Sequence, residues 1–179
     1  MSAKTLKTSS ASGTAKLGFR LARQITRNKP ACVAEATSAW LRRSVATLRR
    51  ARRRPGKQAA VIALTGELGS GKTTFLQGFA KGLGIKEKVL SPTFVIMKRF
   101  KIQDSRFKIL YHFDCYRLEN ARDLYGLGWK EIIKDPKAII VVEWADRVRK
   151  AIPKDAIWVE FRFLEEHERE INTGVTYLG

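Results

Sequence analysis

Ala59-Ala60-Val61-Ile62-Ala63-Leu64-Thr65-Gly66-Glu67-Leu68-Gly69-Ser70-Gly71-Lys72-Thr73-Thr74-Phe75 decides the fold. The apolar run 59–64 has the character of a buried strand, and residues 74–83 carry Phe75, Leu76 and Phe79 at helical spacing. Between them Gly66 to Thr73 satisfies GxxxxGK[ST], the phosphate-binding loop, in the strand–loop–helix setting that its chemistry needs. The glycines let backbone N–H groups turn toward a β-phosphate, Lys72 reaches the β and γ oxygens, and the Thr73 hydroxyl can complete a Mg²⁺ shell. The positive end of the helix dipole adds to the same site. A Gly-rich turn that binds nothing would not account for Lys72 followed by Thr73.

Downstream of the loop, strands alternate with helices. The pattern predicts strands over 95–100 and 107–113 joined through the polar turn at Gln103-Asp104-Ser105, and a helix over 120–125. Residues 138–142 are continuously apolar, as in a buried parallel strand, and 157–163 with 168–172 form a closing antiparallel pair. The expected fold is α/β: a P-loop NTPase-like mixed, mainly parallel sheet flanked by helices. Upstream, residues 1–13 read as a polar lead-in, and 14–25 as a helix with Leu17, Leu21 and Ile25 on one face. A second amphipathic pattern over 33–54 sets Trp40, Leu41, Val45 and Leu48 against Arg42, Arg49 and Arg53, a basic helical insertion ahead of the phosphate-loop strand.

With 179 residues the chain suits a single domain over 1–179, the basic insertion at 29–57 being its appendage. The net charge of +18 is uneven: residues 1–57 hold 15 Lys and Arg against the lone acid Glu35, whereas 58–179 hold 20 against 16. Such an imbalance fits a polyanion partner through the N-terminal region, tRNA or another nucleic acid; a solvated helix face, a linker or a transit peptide gives the same count. No apolar run approaches the roughly 20 residues of a membrane span. The expectation is a soluble, cytoplasmic protein without membrane contact. Cys32 and Cys115 suggest neither disulfide nor zinc site, and His112 and His167 have no metal-spaced companions. Mg²⁺ brought by a nucleotide is the one metal expected.

What the loop does depends on the groups facing the γ-phosphate. The 139–142 run ends in Glu143, as a Walker B strand ends in a carboxylate that holds Mg²⁺ directly or through water. Tyr111-His112-Phe113-Asp114 also ends a strand in a carboxylate; Asp114 can orient water or Mg²⁺, or it can cap a turn or pair with Arg117. In Ser91-Pro92-Thr93-Phe94 the proline holds Ser91 extended and presents Thr93 from a loop, either as a γ-phosphate sensor or as an ST-turn. Trp144 is ordinary core or a lid beside the site.

Together the segment from Gly66 to Thr74, Ser91-Pro92-Thr93-Phe94, Tyr111-His112-Phe113-Asp114-Cys115-Tyr116-Arg117-Leu118 and Val142-Glu143-Trp144-Ala145-Asp146-Arg147 closely resemble the TsaE (YjeE) family. These are small bacterial P-loop ATPases required for threonylcarbamoylation of adenosine 37 in tRNA. The resemblance implies a Mg²⁺-dependent ATPase acting with the two-subunit threonylcarbamoyl transferase, TsaB and TsaD type proteins, without itself transferring the carbamoyl group. It implies ATP contacts at Thr14, Gly69, Ser70, Gly71, Lys72, Thr73 and Thr74, Mg²⁺ on Thr73 and Glu143, and catalytic roles for Lys72, Thr93, Asp114 and Glu143. It covers residues 5–27 and 58–173, and the insertion has no counterpart in it. A small-molecule kinase would need an acceptor pocket with a basic lid, and a non-enzymatic RNA-binding module has only the basic segment in its favour. The Asn-Lys-x-Asp guanine reader of GTPases does not occur.

Overall fold

A computed structural model describes residues 4–26, 58–90, 96–103, 105–165 and 168–173. The basic insertion, Thr93 with its Ser-Pro-Thr-Phe segment, Cys32 and His167 lie outside the described residues. The described chain builds one seven-stranded sheet in the order β1-β7-β6-β2-β5-β4-β3. In chain order the strands are β1 (Lys4–Thr8), β2 (Ala60–Gly66), β3 (Met97–Lys101), β4 (Ile109–Asp114), β5 (Ala138–Glu143), β6 (Ile157–Phe163) and β7 (Arg169–Thr173). The helices are α1 (Ala11–Thr26), α2 (Lys72–Gly82), α3 (Ala121–Tyr125) and α4 (Trp129–Ile132).

The sheet centre is parallel: β6, β2, β5 and β4 run the same way, and the antiparallel pairings β1–β7, β7–β6 and β4–β3 flank them. Hydrophobicity dictates this arrangement. All six residues of β5 are buried, as is β2 from Val61 to Thr65, so both strands need cover on two faces and occupy the middle. On one face Ile62, Leu64, Leu110, Ile139 and Val141 pack beneath Leu17, Leu21 and Ile25 of α1 and Phe75, Leu76 and Phe79 of α2. On the other, Val61, Ala63, Phe113, Ile140 and Val142 meet Leu124, Trp129 and Val148. Each fully buried Leu, Ile or Phe contributes about 1.5–3 kcal/mol, and the two faces together hold the central strands in register.

The residues expected as a polar lead-in include a strand. Lys4–Thr8 pairs antiparallel with β7, and Ser10 then starts α1 by accepting the Gly13 N–H on its Oγ at 3.1 Å. The helix therefore begins at Ala11, three residues before the expected Thr14. The short helix α4 was not foreseen, since four residues carry too little periodicity; Trp129 anchors it, fully packed and donating its Nε1–H to the Ala151 carbonyl at 3.1 Å. The expected hairpin between 95–100 and 107–113, the helix at 120–125, the parallel strand at 138–142 and the closing antiparallel pair are all present over their described residues.

Helices α1 and α2 touch backbone to backbone, and glycine permits it. A Cβ added at Gly78 would lie 1.9 Å from the Ala15 carbonyl oxygen, and one at Gly18 would lie 2.0 Å from that of Phe75. The contact carries the start of α1, including Thr14, to the phosphate loop.

Candidate functional site

The C-terminal ends of β2, β5 and β4 come together at Gly66, Glu143 and Asp114, on the side of the sheet where α2 begins. Parallel α/β sheets bind ligands at this end, because loops part there and helix N-termini point inward. The loop takes its course from left-handed backbone at Gly66 (φ 130°), Gly69 (φ 77°) and Gly71 (φ 102°). Gly66 also abuts β6, where a Cβ would come within 2.1 Å of the Phe161 carbonyl oxygen. Left-handed residues in a tight turn favour an anion-binding concavity, and the Ser70 N–H closes this one on the Glu67 carbonyl at 3.2 Å. The Ser70 hydroxyl is fully buried in this loop without a hydrogen-bond partner among the described residues, which suits a site completed by phosphate oxygens.

Lys72 opens α2 with its side chain folded over the loop. Its ammonium donates to the carbonyl oxygens of Gly66 at 2.8 Å and Glu67 at 2.7 Å, and lies 4.0 Å from the centre of the Trp144 ring. Burial pushes this lysine below its ordinary range, opposed by Glu143, Asp114, Asp146 and Glu67. Two of these carboxylates, Glu143 and Asp114, close the neighbouring strands β5 and β4. Thr73 follows, and its Oγ1–H donates to Glu143 at 3.0 Å (Oε2) and 3.3 Å (Oε1). A hydroxyl whose proton goes to a carboxylate keeps its lone pairs for a cation, and a hydroxyl with a carboxylate is the hard oxygen set that Mg²⁺ prefers. The residues present therefore fit the metal.

Asp114 faces Glu143 directly across the β4–β5 ladder. Its Oδ1 accepts the Tyr116 N–H at 3.1 Å, so the turn-capping alternative is realised while the carboxylate also acts on Lys72. Thr14 is fully buried at the α1 end, bonded through Oγ1 to Thr8 Oγ1 at 2.9 Å and to the Ser10 carbonyl at 3.3 Å. Its methyl group would touch a Cβ on Gly71 at 3.4 Å. The structure thus brings together Thr14, Gly69, Ser70, Gly71, Lys72, Thr73, Asp114 and Glu143, with the half-buried Thr74 one residue into the helix; Thr93 lies outside the described residues.

Three participants escaped sequence reasoning or were left open by it. Trp144 takes a left-handed backbone (φ 57°), which costs a residue with a Cβ about 1–2 kcal/mol. Its ring lies over the Lys72 ammonium and 5.0 Å from the Tyr116 ring, and it also packs, partly buried, against the core on the Val61 and Phe113 face, so it covers the ammonium while bordering the core. Arg169 reaches from β7 to the loop, where its Cδ would meet a Cβ on Gly71 at 3.6 Å; only the β1–β7–β6 pairing brings it there. His112 is fully buried, with Nε2 at 3.0 Å from Glu143 Oε1. The alternation His112-Phe113-Asp114 puts His112 on the face of Asp114, a signal that a search for metal spacing passes over. Cys115, next along, is buried with its thiol pushed up to about 12, and has no nucleophilic character at neutral pH.

Most of the chain is similar to proteins already known. The family model described as "Threonylcarbamoyl adenosine biosynthesis protein TsaE" matches residues 8–171. The tRNA threonylcarbamoyladenosine biosynthesis protein TsaE of Bacillus subtilis is 37% identical over 129 residues, 72% of this chain and 76% of its own. The protein of that name from Treponema pallidum is 36% identical over 115 residues, 64% of this chain and 82% of its own. Among solved structures, the crystal structure of Bacillus subtilis YdiB superposes with a TM-score of 0.57 and 27% identity, covering 98% of this chain and 88% of that one.

Proposed function

The chain belongs to the TsaE family, and from that membership we propose that it is a Mg²⁺-dependent ATPase required for threonylcarbamoylation of adenosine 37 in tRNA. The observation that carries the ATPase reading is the hydrogen bond from the Thr73 hydroxyl to the Glu143 carboxylate, at the mouth of a complete phosphate loop. In this reading the N–H groups of Gly69, Ser70, Gly71, Lys72, Thr73 and Thr74 cradle the phosphates. Lys72 leaves the Gly66 and Glu67 carbonyls for the β and γ oxygens, and Thr14 closes the nucleotide side of the loop. Thr73 and Glu143 hold Mg²⁺, which when bound neutralises charge on the phosphate oxygens. Asp114 orients the attacking water, and Thr93 senses the γ-phosphate from its loop. The chain acts as one ATPase domain in the cytoplasm.

Its partner in this reading is the two-subunit transferase of TsaB and TsaD type, whose cycle the ATPase serves. A tRNA contact through the basic N-terminal region is supported by Lys16, Arg20 and Arg23, exposed four and three residues apart on α1, a helix without an acidic residue. Among the described residues no helix is long and apolar enough to cross a membrane.

Calorimetric titration of ATP tests the site. Lys72→Ala removes a charge-assisted phosphate contact of about 1.5–3 kcal/mol, so ATP should bind roughly ten- to a hundredfold more weakly than to wild type. Equal affinity in the two proteins would contradict the assignment.

A further inference from the structure

His112 sits within β4, one strand away from Glu143 and on the same sheet face. A carboxylate only accepts hydrogen bonds, so in the 3.0 Å contact between His112 Nε2 and Glu143 Oε1 the ring nitrogen is the donor. The buried Nδ1 of the same ring has no hydrogen-bond partner among the described residues. Leu or Phe would fill the same space without burying an unpaired ring nitrogen, so what the imidazole adds here is the hydrogen bond at Nε2. The carboxylate it grips is the one to which Thr73 donates, chiefly at Oε2.

The geometry points to His112 as a positioning residue: its Nε2–H pins Glu143 Oε1, so that Oε2 and the Thr73 hydroxyl are presented together to the Mg²⁺ of a bound nucleotide. This rests on the proposed assignment of Thr73 and Glu143 to Mg²⁺. The Nε2–H fixes the carboxylate through a single hydrogen bond at Oε1 and leaves Oε2 to face Thr73. His112 acts through Glu143, as outer-shell partners of metal ligands do.

The test is calorimetric titration of Mg²⁺ into the ADP-saturated protein, alongside ADP titration in EDTA, for wild type, His112→Phe and His112→Gln. Phe keeps a planar ring, somewhat larger, and removes the donor; Gln returns an N–H near the position of Nε2. His112→Phe should weaken Mg²⁺ binding about ten- to a hundredfold, with ADP affinity in EDTA within about twofold of wild type. His112→Gln should recover Mg²⁺ affinity to within about threefold. Wild-type Mg²⁺ affinity in His112→Phe, or the same loss in both variants, would overturn the role of the donor. Should His112→Phe lack the circular dichroism of the folded chain, His112→Asn, which retracts the amide from Glu143, is judged by the same two outcomes. If wild type itself binds ADP no more tightly with Mg²⁺ than in EDTA, the metal assignment falls before His112 is reached.

Discussion

Glu143→Gln should lower ATP turnover on the order of a hundredfold while leaving ATP affinity within about threefold. The amide matches the carboxylate in size and can still accept from Thr73 and His112, both of which bond the native side chain. What it lacks is the negative charge at the end of β5, in a position 2% exposed where water screens little. Binding draws mainly on the loop N–H groups and Lys72, so it survives. In the proposed assignment turnover would need this charge to hold Mg²⁺, and a loss confined to turnover is the pattern of a group used in the transition state. Steady-state phosphate release and ATP calorimetry on the same preparations make the comparison. If the melting temperature of Glu143→Gln drops along with its activity, the carboxylate is holding the sheet together instead.

Gly78→Ala should destabilise the fold by about 3 kcal/mol or more, the upper part of the range for overpacked interiors. In an exposed helix the same change stabilises by up to about 1 kcal/mol, because alanine is the better helix former, so the sign alone is informative. Here the new methyl would lie 1.9 Å from the Ala15 carbonyl oxygen, with the Ala15 carbonyl carbon and Cα at 2.6 and 2.7 Å. Backbone atoms cannot rotate aside, and α1 and α2 have to separate. For a chain of this size the midpoint of thermal unfolding should fall by roughly 6–12 °C. A midpoint equal to or above wild type would mean that the two helices are not in backbone contact. The separation also draws Thr14 away from Gly71, so ATP affinity should weaken in the variant even well below its melting temperature.

The parts of the site that were legible in the sequence are those set by local chemistry. The loop needs glycines, Lys72 and Thr73 in one continuous turn, and Glu143 and Asp114 announce themselves as carboxylates closing apolar runs. Central strands were legible for a similar reason, since β2 and β5, buried on both faces, are continuously apolar up to Thr65 and Glu143 near their ends. β1 is different: Lys-Thr-Leu-Lys-Thr is a short polar edge strand whose partner, β7, lies at the other end of the chain. Nothing within five such residues specifies that pairing. His112 and Arg169 were illegible as site residues because register alone delivers them, His112 beside Glu143 and Arg169 beside Gly71. Gly18 and Gly78 look like weak points of their helices until the helices are paired, and then each is the one residue type that fits.

The most direct test of the central claim is reconstitution of threonylcarbamoylation on unmodified tRNA with TsaB and TsaD type proteins, read by nucleoside mass spectrometry at substoichiometric transferase. Repeated turnover should require this chain together with ATP and Mg²⁺, and Lys72→Ala and Glu143→Gln should each leave little more product than its omission. Equal product with and without the chain, or full support from Glu143→Gln, would contradict an ATPase role in this modification.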